Sequence, residues 1–469
     1  MSAAAASSDA SSSGSPGDSG TEGHLPPFVD RRDGYASVTK EVSDAVLERR
    51  PGRLWWLLLA FGGALTLLML VSIAWLFYAG VGIWGVNTEV VWGFAIANYV
   101  WWIGIGNAGT LISSLLLLTR QKWRSSINRF AEAMTLFAAA IAGVFPIIHL
   151  GRPYLFYWLI PYPDVMEAWP QFKSPLVWDL WAILSYLIFS LLFWYTGAIP
   201  DFATLRDRAK GRIAQLAYGS LALGWRGSAH HWARYERYYW AMAAMGVPLV
   251  VSVHSVVGLD FAASLMPGWA ETVFPPYFVV GAMFSGFAMV VTLAVPIRHA
   301  LGLHDLITPR HFEAMAKIMV LGATVMGWSY LIEWFAAWYS GDIYERGLVV
   351  YEFVGDYWPL YWIMLFCNVL ASQVFWFRPA RYSIALIFVV SILVNLGMWL
   401  ERLLIVINTL SHGFLPANWQ TYAPTFWDVA LLLGTLGFFF TLFLLLARFV
   451  PVVSMHEMRE LVREEGAGR

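Results

Sequence analysis

The stretch Trp101-Trp-Ile-Gly-Ile-Gly-Asn-Ala-Gly-Thr-Leu-Ile-Ser113 carries no charge, and the apolar run around it extends from about residue 90 to 118. That length is what a helix needs to cross the hydrocarbon core of a bilayer, about 20 residues. Gly104, Gly106 and Gly109 lie inside the run. Small residues there let helix backbones approach closely in lipid. They do not read as a phosphate loop, which would join a strand to a helix.

Working outward, nine more stretches qualify as spans. The full set is roughly 54–80, 90–118, 129–150, 176–197, 238–262, 277–300, 313–340, 357–376, 382–408 and 426–448. Composition agrees: 59% of the 469 residues are hydrophobic and 13% are charged, against about 45–50% and about 25% in soluble domains. Of the 61 charged side chains, 22 fall in residues 1–53 and 448–469, so 39 serve the 394 residues between. An ordinary soluble enzyme and a disordered protein are excluded. A net charge of −1 gives no field for nucleic acid. Cys367 is the single cysteine, and there is no haem-attachment motif or ligand set for zinc or iron–sulfur. A metal serving this chain in electron transfer therefore belongs to a partner.

Basic residues orient the spans. They crowd before span 1 (Arg49, Arg50, Arg53) and in the 2–3, 4–5, 6–7 and 8–9 connections, while the alternate connections hold only Arg152, Lys173 and Arg346. Both termini are thus expected on the cytoplasmic side of a bacterial inner membrane. Residues 1–53 form an N-terminal tail, expected to be disordered and without a secretory h-region, and 449–469 a C-terminal tail. Glu132-Ala-Met134 opens span 3 and Glu313-Ala-Met315 opens span 7. Aligning them makes spans 2–5 and 6–9 parallel copies. The expected fold is all-α with ten transmembrane helices: a first four-helix bundle at 90–262, a second at 277–408, and peripheral spans at 54–80 and 426–448. The aromatic outer connection 152–175 reads as an interfacial belt or as a short helix and docking surface.

Ionisable residues at membrane depth are candidates for function. The topology brings His149 of span 3, Asp179 of span 4 and Asp260 of span 5 to one outer depth in one bundle. Hydroquinone oxidation releases two electrons and two protons, and such a trio supplies hydrogen-bond partners and bases for them. Interfacial pairing and helix capping is the plainer reading. Trp178, Trp181 and Phe261 lie beside the trio in sequence and would flank an aromatic ring. His254, deeper in span 5, is a core residue or a proton relay. Glu333, Glu401 and Arg402, with Asp428, form a second set, either an ion-pair network or a proton path. Glu401 and Arg402 are adjacent, so each is expected to need another partner. Histidines are too few inside spans for two bis-histidine haems.

The block made of residues 101–113, then Arg120-Gln-Lys-Trp-Arg-Ser-Ser-Ile-Asn-Arg-Phe-Ala-Glu-Ala-Met-Thr135, then Ile148-His-Leu-Gly-Arg-Pro153 resembles the NrfD-like, or polysulfide-reductase, membrane-subunit family. Within it, the likeness points to the ten-span quinol-binding subunit of alternative complex III. The resemblance covers nearly all of residues 54–450. It implies a menaquinol site near the periplasmic face, with His149, Asp179 and Asp260 as catalytic residues and Arg152 beside them; Trp178, next to Asp179 in sequence, is counted with the quinol-binding residues. It also implies an iron–sulfur subunit on that face, a paralogous ten-span subunit and cytochrome c subunits, with no haem or cluster in this chain. Asn107 stands where the family more often has histidine. The alternatives are the quinone subunit of a polysulfide- or sulfoxide-reductase-type complex, and a non-redox ion transporter.

Overall fold

The computed structural model describes residues 35–150, 153–159 and 175–467. Ten helices among them are long and apolar enough to cross a membrane: Arg53–Ala79, Phe94–Leu118, Asn128–Ile148, Val177–Arg208, Ala229–Ala262, Phe274–Leu301, Pro309–Ser340, Trp358–Trp376, Ile384–Ser411 and Phe426–Phe449. They are called spans 1 to 10. The end bearing His149 is called outer, after the charge pattern.

Spans 2–5 pack as one four-helix bundle and spans 6–9 as another. The bundles share an interface made by spans 2 and 5 with spans 6 and 9, while spans 1 and 10 pair with each other along one side. Span 2 is 89% buried within its most apolar window and span 1 is 17% buried. The quoted stretch is thus the axis of the molecule, and its glycines are why. A Cβ added at Gly109 would lie 2.1 Å from the backbone oxygen of Ala131 on span 3. On the opposite side, a Cβ at Gly286 of span 6 would lie 1.9 Å from the Ala108 Cβ. Close packing is the main source of helix association in lipid, where apolar burial offers little.

Two spans depart from a regular helix at positions that carry polar groups. Span 3 is helical over Asn128–Ala142, turns at Gly143 and resumes as Phe145–Ile148 with Pro146 inside, ending at His149. Span 8 widens into a π-turn over Phe366–Leu370, a device that re-aims a side chain, and here it carries buried Asn368.

The tails differ from expectation. Residues 1–34 lie outside the described residues, but Tyr35–Leu47 is a helix with Val38, Val42 and Val46 buried. Its apolar residues recur every four positions, which gives it one face to bury. The C-terminal segment also folds, as the helix Met455–Ala467, which packs on the N-terminal helix and the inner end of the first bundle.

Candidate functional site

The outer end of the first bundle gathers side chains from four helices. Asp179, one turn into span 4, is buried, and its Oδ2 accepts a hydrogen bond from the Tyr99 hydroxyl of span 2 at 2.5 Å. The Asp260 carboxyl of span 5 is within hydrogen-bonding reach of Asp179. Among the described residues, the buried Oδ1 atoms of these two aspartates have no hydrogen-bond donor. A hydrogen bond between two carboxyl groups requires a proton on one of them. Beyond Tyr99 stands His149, with ring centroids 6.0 Å apart. The His149 Nδ1 is engaged by the Phe145 carbonyl one turn back, so Nε2 is the nitrogen left for chemistry. Tyr99 therefore touches both the histidine and the carboxyl pair.

His149 lines a cavity of about 210 Å³ with Trp84, Trp92, Phe94, Leu150 and Asp428. Trp92 stacks on Trp269 at 5.7 Å, and both rings meet Phe261 edge-on. The aromatic wall is thus made by Trp84, Trp92 and Phe94. Trp178 and Trp181 are instead 39% and 46% exposed on the outer surface of span 4. Arg152 lies outside the described residues, as do 160–174 of the aromatic connection. Its described part, Pro153–Leu159, is a short 3-10 helix with Tyr154, Phe156 and Tyr157 exposed.

Tyr99 was missed in the sequence because a tyrosine near a span end reads as part of the interfacial belt. Its one legible signal is its position in span 2, the helix whose small residues place it at the centre.

Deeper in the bundle, Asn107 Nδ2 meets His254 Nδ1 at 2.8 Å, and both residues are buried. The neighbouring Gly106 carbonyl accepts from Thr135 at 2.7 Å and from Tyr186 at 2.6 Å. At the inner end is a charged group that sequence reading did not single out. Arg129 contacts Asp201 at 3.0 Å and Glu132 at 3.7 Å. Glu132 also accepts from Ser113 at 2.5 Å and Tyr239 at 2.8 Å. Glu457 of the C-terminal helix binds Arg124 at 2.8 Å and accepts from Asn128 at 2.7 Å. The i,i+3 spacing of Arg129 and Glu132 was the signal for it.

The second set divides. Glu401 accepts from Asn368 of the π-turn at 3.1 Å, and the Arg402 guanidinium lies 4.0 Å over the Phe278 ring. These are separate partners, yet Arg402 Nη1 also reaches Glu401 Oε1 at 3.5 Å. That corrects the expectation that neighbours on a helix stay apart: the side chains are long enough to curl toward one another. Asp428 does not join this set. It caps span 10, accepting from the backbone nitrogens of Gly85 at 2.9 Å and Thr425 at 2.8 Å. Glu333 sits instead with Glu271, Glu345 and Glu352 near the outer end of the second bundle. Burial pushes the Glu271 and Glu352 carboxyls, which lie outside the spans, up to about 7. Among the described residues no group of three or more His, Cys, Asp or Glu has the arrangement to hold a metal ion.

These features define a class: a ten-span helical membrane protein of two bundles, with a cluster of polar side chains from four spans near one face. The sequence matches the family described as polysulphide reductase, NrfD, over residues 83–412, and the chain belongs to that family. It is 22% identical over 389 residues to a selenate reductase subunit of Mesobacillus selenatarsenatis, covering 77% of this chain and 86% of that protein. It is 27% identical over 238 residues to a candidate dimethyl sulfoxide reductase membrane subunit of Halobacterium salinarum, a match spanning half of each chain.

Proposed function

We propose that this chain is the quinol-oxidising membrane subunit of a multisubunit oxidoreductase of the reductase type, to which its selenate and dimethyl sulfoxide reductase relatives belong by name. The observation that carries the reading is Tyr99, which joins His149 to the Asp179–Asp260 pair at the outer end of the first bundle. Menaquinol is the proposed substrate. Its oxidation yields the quinone, two protons and two electrons. His149 Nε2 takes one proton from a hydroxyl held in the aromatic cavity. The Asp179–Asp260 pair takes the other through the Tyr99 hydroxyl, releasing its own proton outward. The electrons leave to an iron–sulfur subunit docked on the periplasmic face. Arg152 is proposed to hold the approach to this site, and Trp178 to border it. His254, Glu333, Glu401 and Arg402 are proposed as a proton path.

The alternative complex III reading keeps one support, the block at 101–153, and would add a paralogous ten-span subunit and cytochrome c subunits. Haem absorbance of the purified complex separates the two. The transporter reading finds no support among the named relatives.

The test is quinol-dependent electron transfer by the intact complex. Asp179→Asn and His149→Ala are each expected to slow turnover by about 100-fold or more, the usual weight of a positioned acid or base. Full turnover in both variants overturns the site.

A further inference from the structure

The inner connection between spans 4 and 5 is a hairpin whose charge and apolar surface the quinol chemistry does not use. It runs out of span 4 into the helix Arg212–Leu221 and turns back into span 5 at Ser228. Its depth can be measured along span 4. That helix begins at Pro175, and Tyr195 lies about 30 Å further in at 1.5 Å per residue, one hydrocarbon thickness. The Tyr195 hydroxyl donates to the Leu221 carbonyl at 2.7 Å. The hairpin helix therefore folds back against span 4 about one hydrocarbon thickness from that helix's outer start.

One face of that helix docks. Tyr218 stacks near Phe202 and donates to the Phe449 carbonyl at 2.9 Å. The opposite face shows Ile213 and Leu216, which are 86% and 65% exposed. Beyond it, Leu223 is 68% exposed and is held in the left-handed region at φ +46°. That conformation is costly for a branched side chain.

Around these side chains are unbalanced cations. Arg206, Arg208 and Lys210 are paired with Asp207, Asp44 and Glu48. Arg212, Arg226, Arg234 and Arg237 are exposed and have no ion-pair partner among the described residues. His230, Arg234 and Arg237 share one face of the start of span 5, spaced by four and three residues. Glu236 is the carboxylate beside them.

We propose that this hairpin binds anionic phospholipid headgroups of the cytoplasmic leaflet. Ile213, Leu216 and Leu223 enter the acyl region, while Arg226, Arg234 and Arg237, with Arg212 at the rim, bind the phosphates. Arginine suits this because its fork pairs with two phosphate oxygens at once. An exposed apolar tip at hydrocarbon depth meets lipid as its solvent, and the cations above it meet the negative surface of the inner leaflet.

The test uses the full chain in bilayers of phosphatidylcholine and phosphatidylglycerol at about three to one, a moderately anionic surface. Spin-labelled phosphatidylglycerol should be immobilised by the protein in preference to spin-labelled phosphatidylcholine. In Arg226→Gln/Arg234→Gln/Arg237→Gln the preference should fall by most of its value, and in Arg49→Gln/Arg50→Gln it should be kept. An unchanged preference in the triple variant, or an equal fall in the control, overturns the proposal. A nitroxide on Leu223→Cys in a Cys367→Ala background gives a second reading. Relaxation by oxygen above that by a water-soluble nickel chelate is expected. The reverse order overturns the proposal, as does shielding from both reagents only in the assembled complex, which would identify a protein partner.

Discussion

At the inner end of the first bundle Glu132, Asp201 and Glu457 each meet an arginine, whereas at the outer end Asp179 and Asp260 meet each other and Tyr99. Both groups draw on several helices, and all their carboxylates but the half-buried Asp260 are buried. The inner one is balanced by fixed charge, since an arginine does not give up its proton at any ordinary pH. Its carboxylates have their partners whatever the redox state, and the arrangement ties the C-terminal helix to spans 3 and 4. Among the described residues the outer pair has no cation partner, so a hydrogen bond between its two carboxyls depends on a proton. A site that must take and release protons is better served by the second arrangement. The first resembles a lock.

That contrast breaks most visibly at Arg129. Arg129→Ala leaves Glu132 and Asp201 buried without their cation, and removing one partner of a buried pair costs about 3–5 kcal/mol. Thermal unfolding of the purified chain in detergent should show a large fall, and Arg129→Ala/Asp201→Ala should regain part of it. Wild-type stability in Arg129→Ala, with loss of turnover instead, would make the inner end functional and erase the distinction.

Tyr99→Phe probes the outer end more gently. It keeps the ring against His149 and Phe145 and deletes the hydroxyl bonded to Asp179. Losing one hydrogen bond to an ionisable partner, about 1.5–3 kcal/mol, should slow quinol-dependent turnover by roughly ten- to a hundredfold and lower the midpoint of unfolding less than Arg129→Ala does. A large stability loss with normal turnover would place Tyr99 among the packing residues.

The smallest effect is expected in the second bundle. Burial raises the Glu352 carboxyl to about 7, above the unfolded value of about 4.3. The folded state then binds more protons than the unfolded chain between these pH values, so stability falls as pH rises from about 4.3 to about 7 and levels off beyond. Unfolding midpoints measured across that window should decline less steeply in Glu352→Gln than in the wild type. Equal slopes would mean that Glu352 does not contribute.

Much of the site was legible in one dimension. His149, Asp179 and Asp260 fall at one depth when counted along alternating spans, and the structure puts Asp179 beside Asp260, with His149 one tyrosine away. The count fixes depth and leaves rotation open. Rotation is why Trp178 faces outward while its neighbour Asp179 faces the bundle, and why Trp84 and Trp92 of the 1–2 connection form the wall that Trp178 and Trp181 were expected to supply. Glu333 lay in the sequence beside Glu401 only as a charge in a second bundle. The fold gives it Glu352, Glu345 and Glu271, which come from connections.

What the sequence determined by itself is whatever depends on transfer into lipid: ten spans, the one-sided placement of their basic residues and the scarcity of charge between the tails. Those follow from hydropathy and basic-residue placement, which act on each segment separately. Only the tertiary structure decided which polar groups touch. Those contacts depend on helix rotation, on the turn that ends span 3 at His149, and on the π-turn that aims Asn368 at Glu401. They also depend on tails that fold onto the bundle, because Glu457 finds Arg124 only after the chain has crossed the membrane ten times.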